Sequence, residues 1–218
     1  MIIAIDGPAG AGKSTVAKML ARRLGYVYLD TGAMYRALTL KVIQAGVALS
    51  EEAKISELAA KIDIQLRKGH DGSLSVILDG VDMSRDIRSP DITKSVSDIA
   101  KIRKVRLVML EKQREMARKG DVILDGRDIG TVVFPDARYK FYLDAEPAER
   151  SRRRYNELKG LGQDISLSAV DADISNRDRI DSSREFAPLK KAEDAVYIDT
   201  TSMTIDNVVD TLLSYIHG

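Results

Sequence analysis

Cysteine and tryptophan are missing from the 218 residues, and histidine occurs only at His70 and His217. Without a thiol there is no disulfide framework, no thiolate zinc site and no cysteine nucleophile. Two lone imidazoles make a histidine-built metal site a poor candidate. Long apolar runs are also lacking: no stretch approaches the roughly 18 residues that a membrane span requires. The first basic residue is Lys13, so no charged segment precedes an apolar one as in a secretory leader, and a cytoplasmic location is expected. Nor is there an excess of one charge. The 34 Lys and Arg against 33 Asp and Glu leave a net +1, which argues against wholesale coating of nucleic acid. The rest, 44% apolar and 31% charged, is a globular composition with enough chain for one generous domain and its core.

The chain opens on Ile2-Ile3-Ala4-Ile5, a continuous apolar run of the kind that forms a strand buried on both faces. A Gly-rich turn follows from Asp6 to Gly12. From Lys13 to Leu24 the apolar residues Val16, Leu20 and Leu24 recur at helical spacing, and Gly25 stops the pattern. Tyr26–Leu29 reads as a second strand, completing a βαβ unit. Helical patterns are expected over Met34–Ala45 and Glu51–Lys61. Ile62–Leu66 and Leu74–Leu78 alternate like half-buried antiparallel strands, joined through Lys68–Ser73, which has strong turn chemistry. Ser95–Arg118 reads as one long helix or two short ones. Buried-strand patterns return at Asp121–Asp125, Tyr139–Leu143 and Val196–Asp199, and a last helix is expected over Ile205–Ile216 behind Thr204. Five short strands with intervening helices predict an α/β parallel sheet covered on both faces, with the antiparallel pair in a separate insert.

Gly7-Pro8-Ala9-Gly10-Ala11-Gly12-Lys13-Ser14 fits the phosphate-loop pattern G-x-x-x-x-G-K-[ST], between a buried strand and an amphipathic helix. Its glycines let backbone N–H groups turn inward around a phosphate, and the helix N-terminus adds donors and a favourable dipole. Lys13 is placed to reach the β- and γ-phosphates, and the Ser14 hydroxyl to bind Mg²⁺. Asp6 is either a hydrogen-bond partner for the loop or simply the first polar residue after the strand. The loop specifies a nucleotide, not a reaction: GTPases, motor ATPases and small kinases share it. The guanine-reading Asn-Lys-x-Asp of regulatory GTPases is not present.

Of 19 Arg, 13 lie between Arg103 and Arg184. Transfer of a phosphoryl group between two nucleotides crowds several negative charges into one cleft. Guanidinium groups, always ionised and able to bind phosphate oxygens bidentately, suit such a site. Three clusters stand out. Asp125-Gly126-Arg127-Asp128-Ile129-Gly130 falls at the C-terminal end of a central strand, the sheet edge where ligands bind in open α/β folds. Asp125 falls where P-loop enzymes place a Mg²⁺-ordering carboxylate. Arg150, Arg153 and Arg154 share one face of a helix near a Gly-containing loop, as a mobile lid would. Arg177, Asp181 and Arg184 also stand at helical spacing, combining phosphate binding with a carboxylate for ribose hydroxyls.

Taken together, these residues resemble the bacterial-type cytidylate kinases of the nucleoside monophosphate kinase family. The resemblance spans essentially the whole chain. It rests on Ile5-Asp6-Gly7-Pro8 with Gly12-Lys13-Ser14-Thr15, on Leu29-Asp30-Thr31-Gly32-Ala33-Met34-Tyr35-Arg36, on the run from Asp125 to Ala137, and on Arg177-Asp178, Asp181 and Arg184 ahead of Ala187-Pro188-Leu189. The run Asp-Gly-Arg-Asp-x-Gly-Thr-Val-Val-Phe-Pro-Asp-Ala is the specific part; the phosphate loop alone is generic. Thr31 departs from the Ser common in the family but keeps the hydroxyl.

The resemblance implies transfer of the γ-phosphoryl group of MgATP to CMP or dCMP. It implies a P-loop three-layer fold over residues 1–218, a monophosphate-binding insert at 37–105 containing a small antiparallel sheet, and a short helical lid at 148–164. ATP is then expected on Gly7, Pro8, Ala9, Gly10, Ala11, Gly12, Lys13, Ser14 and Thr15. The acceptor phosphate is expected on Arg36, Arg127 and Arg177 beside Thr31, cytosine on Ser97, Arg106, Asp128 and Arg184, and the sugar on Asp181. Lys13, Arg127, Arg150, Arg153 and Arg154 are expected to act in catalysis, with Ser14 and Asp125 the candidates at Mg²⁺. ATP and CMP or dCMP are the expected partners of a monomer, with no nucleic acid and no membrane.

Overall fold

The computed structural model describes residues 1–68, 74–118 and 120–217. Ile2–Asp6 forms β1, and Val27–Asp30 forms β2 after helix α1, Lys13–Leu24. Then come α2 (Thr31–Gln44), α3 (Glu52–Lys61), β3 (Ile64–Lys68), β4 (Leu74–Leu78) and β5 (Val81–Asp82). α4 (Pro90–Ala100) and α5 (Arg103–Ala117) lead back to β6, Val122–Gly126. The chain ends through β7 (Tyr139–Asp144), α6 (Pro147–Gly160), α7 (Leu167–Ser183), β8 (Val196–Asp199) and α8 (Ile205–His217). Among the described residues no helix is long and apolar enough to cross a membrane.

Five strands form a parallel sheet in the order β2-β6-β1-β7-β8. The first two strands are therefore joined by a helical crossover but are not neighbours, because β6 lies between them. Strands β1 and β6 are buried on both faces, which is why they read as unbroken apolar runs. Ile3, Ile5 and Ile123 face α1 and α8, packing on Val16, Leu20, Val208 and Leu212. Ala4, Val122 and Leu124 face the opposite way, onto Leu29, Ile129 and Val133. This is the period-2 alternation of a strand with a core on each side.

A second core belongs to α2–α5 and the small antiparallel sheet β3-β4-β5, with Met34, Leu38, Ile55, Leu78, Ile87, Ile99 and Met109 at its centre. Residues 69–73, most of the expected hairpin turn, lie outside the described residues. The expected helical stretch from Ser95 divides in two at Lys101–Ile102, and its first half begins earlier, at Pro90, a residue suited to the first turn. Caps fix several other starts. The Asp30 carboxylate accepts from Ala33 N–H at 2.9 Å, Ser166 Oγ from Ala169 N–H at 3.2 Å, and Thr204 Oγ1 from Asn207 N–H at 3.2 Å.

After β6 the backbone does not make an ordinary turn. Ile129–Val133 forms one π-helical turn, closed by Phe134 N–H to Ile129 O at 2.7 Å. Asp6, at the end of β1, caps it: its two carboxylate oxygens accept from Ile129 N–H at 2.9 Å and Gly130 N–H at 2.7 Å. Asp6 is therefore neither a partner of the phosphate loop nor simply a polar end to the strand: its hydrogen bonds go to this turn.

At Gly7 the backbone adopts φ +144, and an added Cβ would sit 1.9 Å from the carbonyl oxygen of Leu143 in β7. At Gly25, φ is +73 and nothing lies within 4 Å. Gly25→Ala therefore meets only left-handed backbone strain, about 1–2 kcal/mol. Gly7→Ala adds a clash with main chain and is expected to cost at least about twice as much. Urea unfolding of the two variants measures the difference, and equal losses contradict it.

Candidate active site

The C-terminal ends of β1, β2 and β6 open onto a cleft of about 900 Å³. One end is lined by the phosphate loop from Ala9 to Thr15, the other by Arg36, Arg88, Ser97, Arg106, Arg177 and Arg184, with Asp125 to Asp128 between. These residues come from places up to 175 positions apart in sequence, Ala9 to Arg184, and the sheet order brings them together.

The donor end is built on α1. Gly12, in the left-handed region at φ 86, turns the chain into the helix, so the N–H groups of its first turn face the loop. Lys13 is buried and donates to the Pro8 carbonyl at 2.6 Å. Burial first, and the neighbouring Arg127 second, lower its ammonium pKa to about 7. Ser14 Oγ donates to Asp125 Oδ2 at 2.7 Å, while Asp125 Oδ1 accepts from Tyr28 Oη at 2.8 Å. Burial, reinforced by Asp30, raises the Asp125 carboxyl to about 6. A hydroxyl and a carboxylate side by side next to the loop fit a Mg²⁺ that arrives with a nucleotide. No group of three or more acidic or imidazole ligands exists among the described residues, so the donor set suits a cation held largely by phosphates and water. Gly7 and Pro8 are not on the cleft wall; they shape the loop from behind.

The second end is an arginine shell with selective pairing. Arg106 and Asp128 form a buried ion pair at 2.5 Å, and the Arg106 guanidinium lies 5.4 Å from the centre of the Tyr35 ring. Arg127 Nε donates to Asp181 Oδ2 at 2.9 Å. Arg184 Nε donates to the Asp181 carbonyl at 3.0 Å. It does so from the C-cap of α7, at extended ψ 134, so the helical face expected to carry Arg177, Asp181 and Arg184 ends one residue before Arg184. Arg36 donates to Thr93 Oγ1 at 2.9 Å and, among the described residues, has no carboxylate at bonding distance. Burial, then Arg177 and Arg154, pull its pKa down to about 9. Arg88, which the sequence reading did not single out, adds to the same field. Thr31 Oγ1 is tied to the Asp125 carbonyl at 2.7 Å, and Ser97 is buried on the cleft wall.

Among the described residues three guanidinium nitrogens in this lining are buried without a hydrogen-bond partner, Arg106 Nε, Arg154 Nε and Arg177 Nε, and Arg184 Nη2 has only an ion pair with Asp181 at 3.2 Å. Buried donors are normally satisfied, so this concentration marks a surface shaped for acceptors that a ligand brings. The three arginines expected on one lid face separate. Arg153 binds Glu149 at 2.7 Å and the Thr200 carbonyl at 2.6 Å, and Arg154 pairs with Glu157 at 2.8 Å, both on the cleft wall. Arg150 instead holds loop backbone, donating to the Ala9 carbonyl at 3.0 Å and the Ala145 carbonyl at 3.1 Å. Sequence reading missed Tyr28, Arg88, Glu149 and the Thr200–Thr204 loop. Only Arg88, a cation in the polar stretch ahead of Pro90, carried any signal.

Burial raises the Asp6 carboxyl from 3.8 to about 7, against the opposing pull of the two N–H donors. Between those values the native state holds a proton that the unfolded chain has released. Stability contributed by this group is thus present at low pH and lost as pH rises through about 7. Wild type minus Asp6→Asn, compared by urea unfolding at about pH 5 and about pH 7.5, should shift in favour of the wild type at the lower pH by more than about 1 kcal/mol. An unchanged difference, or one of opposite sign, contradicts this.

The cytidylate kinase family profile matches residues 3–218. A cytidylate kinase from Desulforamulus reducens is 50% identical over 214 residues, covering 98% of this chain and 96% of that protein. One from Caldanaerobacter subterraneus is 52% identical over 208 residues, covering 95% and 91%. Among solved structures, an uncharacterized protein from Eubacterium ventriosum superposes with a TM-score of 0.53 at 14% identity, covering 100% of this chain and 98% of that one. That likeness concerns the fold alone. The profile match spans the phosphate loop, the Asp125–Ala137 run and the Arg177–Arg184 segment, and the chain belongs to the cytidylate kinase family.

Proposed function

We propose that the cleft transfers the γ-phosphoryl group of ATP to the phosphate of CMP or dCMP, giving ADP and CDP or dCDP. The observation that carries this reading is the set of buried guanidinium N–H donors without a hydrogen-bond acceptor, on Arg106, Arg154 and Arg177, in one cleft with a phosphate loop. A hydrolase needs charge compensation at one triphosphate. Two facing anionic substrates need it at both ends.

The donor phosphates lie on the amides from Gly10 to Lys13, with Lys13 at the γ-phosphate. Mg²⁺, arriving with ATP, would supply charge neutralisation at the phosphates. Ser14 and Asp125 are the residues that would hold it, Asp125 being kept in place by Tyr28. Arg36, Arg127 and Arg177 take the acceptor phosphate; Arg36 and Arg177, lacking close carboxylate partners, have the most to gain from an anion. An oxygen of that phosphate attacks the γ-phosphorus, and the bond to the ADP oxygen breaks. The attacking oxygen is already ionised at neutral pH, so no general base is required. The protein aligns the reactants and disperses charge. Arg153 and Arg154 on α6 contribute from the lid at 148–164, and Arg150 acts by bracing the loop. The insert at 37–105 carries Ser97 and supports the acceptor. All of these residues come from one chain, which supports a monomer as the working unit.

Arg106, Asp128, Arg184 and Ser97 would read the base, and Asp181 the sugar. A carboxylate accepts from the cytosine amine and repels the carbonyl that uracil has at that position. A guanidinium donates to the cytosine ring nitrogen or O2 and gains nothing from a uracil N–H. Coupled turnover with ATP and a panel of monophosphates tests the reading. CMP and dCMP should exceed UMP strongly, on the order of 10⁴-fold at best, with no turnover of AMP or GMP. Comparable turnover of a purine monophosphate sinks it. Arg106→Lys keeps a charge beside Asp128 but loses the planar fork. It should lower the CMP-over-UMP ratio at least about 10-fold with little change in KM for ATP. A full ratio in that variant moves base reading to other residues.

A further inference from the structure

Asp178 stands on α7 between the cleft residues Arg177 and Asp181, yet it is not on the cleft wall and the mechanism gives it no task. Its carboxylate is engaged twice. Oδ1 accepts from Ala9 N–H at 3.1 Å, and Oδ2 accepts from Arg150 Nη1. The same Arg150 nitrogen donates to the Ala9 carbonyl at 3.0 Å. Both backbone polar groups of Ala9 are thus held by the α6–α7 pair. The Ala9 side chain is seated there too, against Leu158, Val170 and Ile174. The next residue, Gly10, has no room for a side chain: a Cβ would lie 2.8 Å from the Arg150 carbonyl oxygen. The first half of the phosphate loop therefore rests on two helices that are remote in sequence as well as on its own strand.

The same helix reaches the other substrate. Arg177 and Asp181 line the cleft, and Asp181 bonds Arg127 at 2.9 Å. Asp178 and Asp181 are separated by less than one turn, about 4.5 Å along the axis. Within that span an α-helix moves as a unit, so a ligand that fixes Arg177 and Asp181 also fixes the carboxylate that holds Ala9.

We propose that Asp178 is a positioning residue that couples the two substrate sites: acceptor bound at α7 steadies the phosphate loop through the Asp178–Ala9 contact and so tightens donor binding. This rests on the reading of Arg177 and Asp181 as acceptor-binding residues. The coupling is reciprocal, since each ligand must change the other's affinity by the same factor.

The experiment measures the affinity of a non-hydrolysable ATP analogue with Mg²⁺ by calorimetry, with and without saturating CMP. In the wild type, CMP should tighten the analogue by about 5-fold or more. In Asp178→Ala that factor should fall below about 2, while the affinity for CMP alone stays within about 3-fold of wild type. Asp178→Asn keeps an acceptor oxygen for Ala9 N–H and should show an intermediate factor. A merely structural role lowers the melting temperature without changing the ratio. The proposal is overturned by a wild-type factor near 1, by a full factor in Asp178→Ala, or by equal loss in the Asn and Ala variants. If the Ala variant does not fold, the Asn variant decides alone, and an undiminished factor there overturns the proposal. Failure of the wild type to bind CMP at all overturns the reading of the cleft itself, and shows up separately as a missing binary isotherm.

Discussion

Taking a guanidinium group out of water is costly unless a carboxylate or a bound anion faces it, and the cleft is arranged around that cost. Arg106 is matched by Asp128, Arg127 by Asp181 and Arg150 by Asp178, each in a buried or partly buried pair. Arg36 and Arg177 are not matched in this way: Arg36 reaches a threonine hydroxyl, and the nearest carboxylate oxygen to Arg177 is at 4.0 Å. The pairs hold their members in fixed geometry. The unmatched members leave a positive field directed into the cavity, and burial has lowered the pKa of both. An anion entering there relieves a penalty already present in the folded state, which is how a site discriminates for charge before it discriminates for shape.

Those arginines depend in turn on the sheet. Asp6, Asp125 and Gly126 occupy matching ends of adjacent strands, with Ile5 opposite Asp125 and Asp6 opposite Gly126. Asp6 then grips the π-helical turn behind Arg127 and Asp128 through two backbone N–H groups. Lys140, in β7, supports the same region, donating to the Pro135 carbonyl and reaching Asp194 at 2.6 Å. One carboxylate at the end of the first strand thus fixes the turn that follows Arg127 and Asp128. A π-turn at this point is consistent with the frequency of such turns at functional sites.

Much of this was legible in the sequence, for physical reasons that differ from residue to residue. The first strand, loop and helix were readable because burial on both faces, a glycine-rich turn and a 3.6 period follow one another without ambiguity. The Asp125–Gly130 stretch was readable because charges and glycines at the end of an apolar run make poor packing material. The insertion of β6 between β1 and β2 was not, since strand order depends on pairing between segments far apart. The π-turn was hidden because Ile129–Val133 has no distinguishing composition. Asp178 and Tyr28 act through contacts 169 and 97 positions away in the chain, and neither residue type announces such a partner.

The same strand order has a consequence for how the molecule comes into being. Among the described residues β1 pairs with β6 and β7 alone, and β2 with β6 alone. Translated from the N-terminus, both early strands have no neighbour until Val122 and its successors have emerged. The core of α2–α5, by contrast, draws on residues from Ala33 to Met109 and is complete in sequence before that point. Its contacts close shorter loops and carry less entropy cost than those of the sheet. Synthesis therefore separates the two cores in time: the insert has all its parts while the future nucleotide-binding sheet is still two apolar strands without a partner, the stage at which a nascent chain most needs protection from its neighbours.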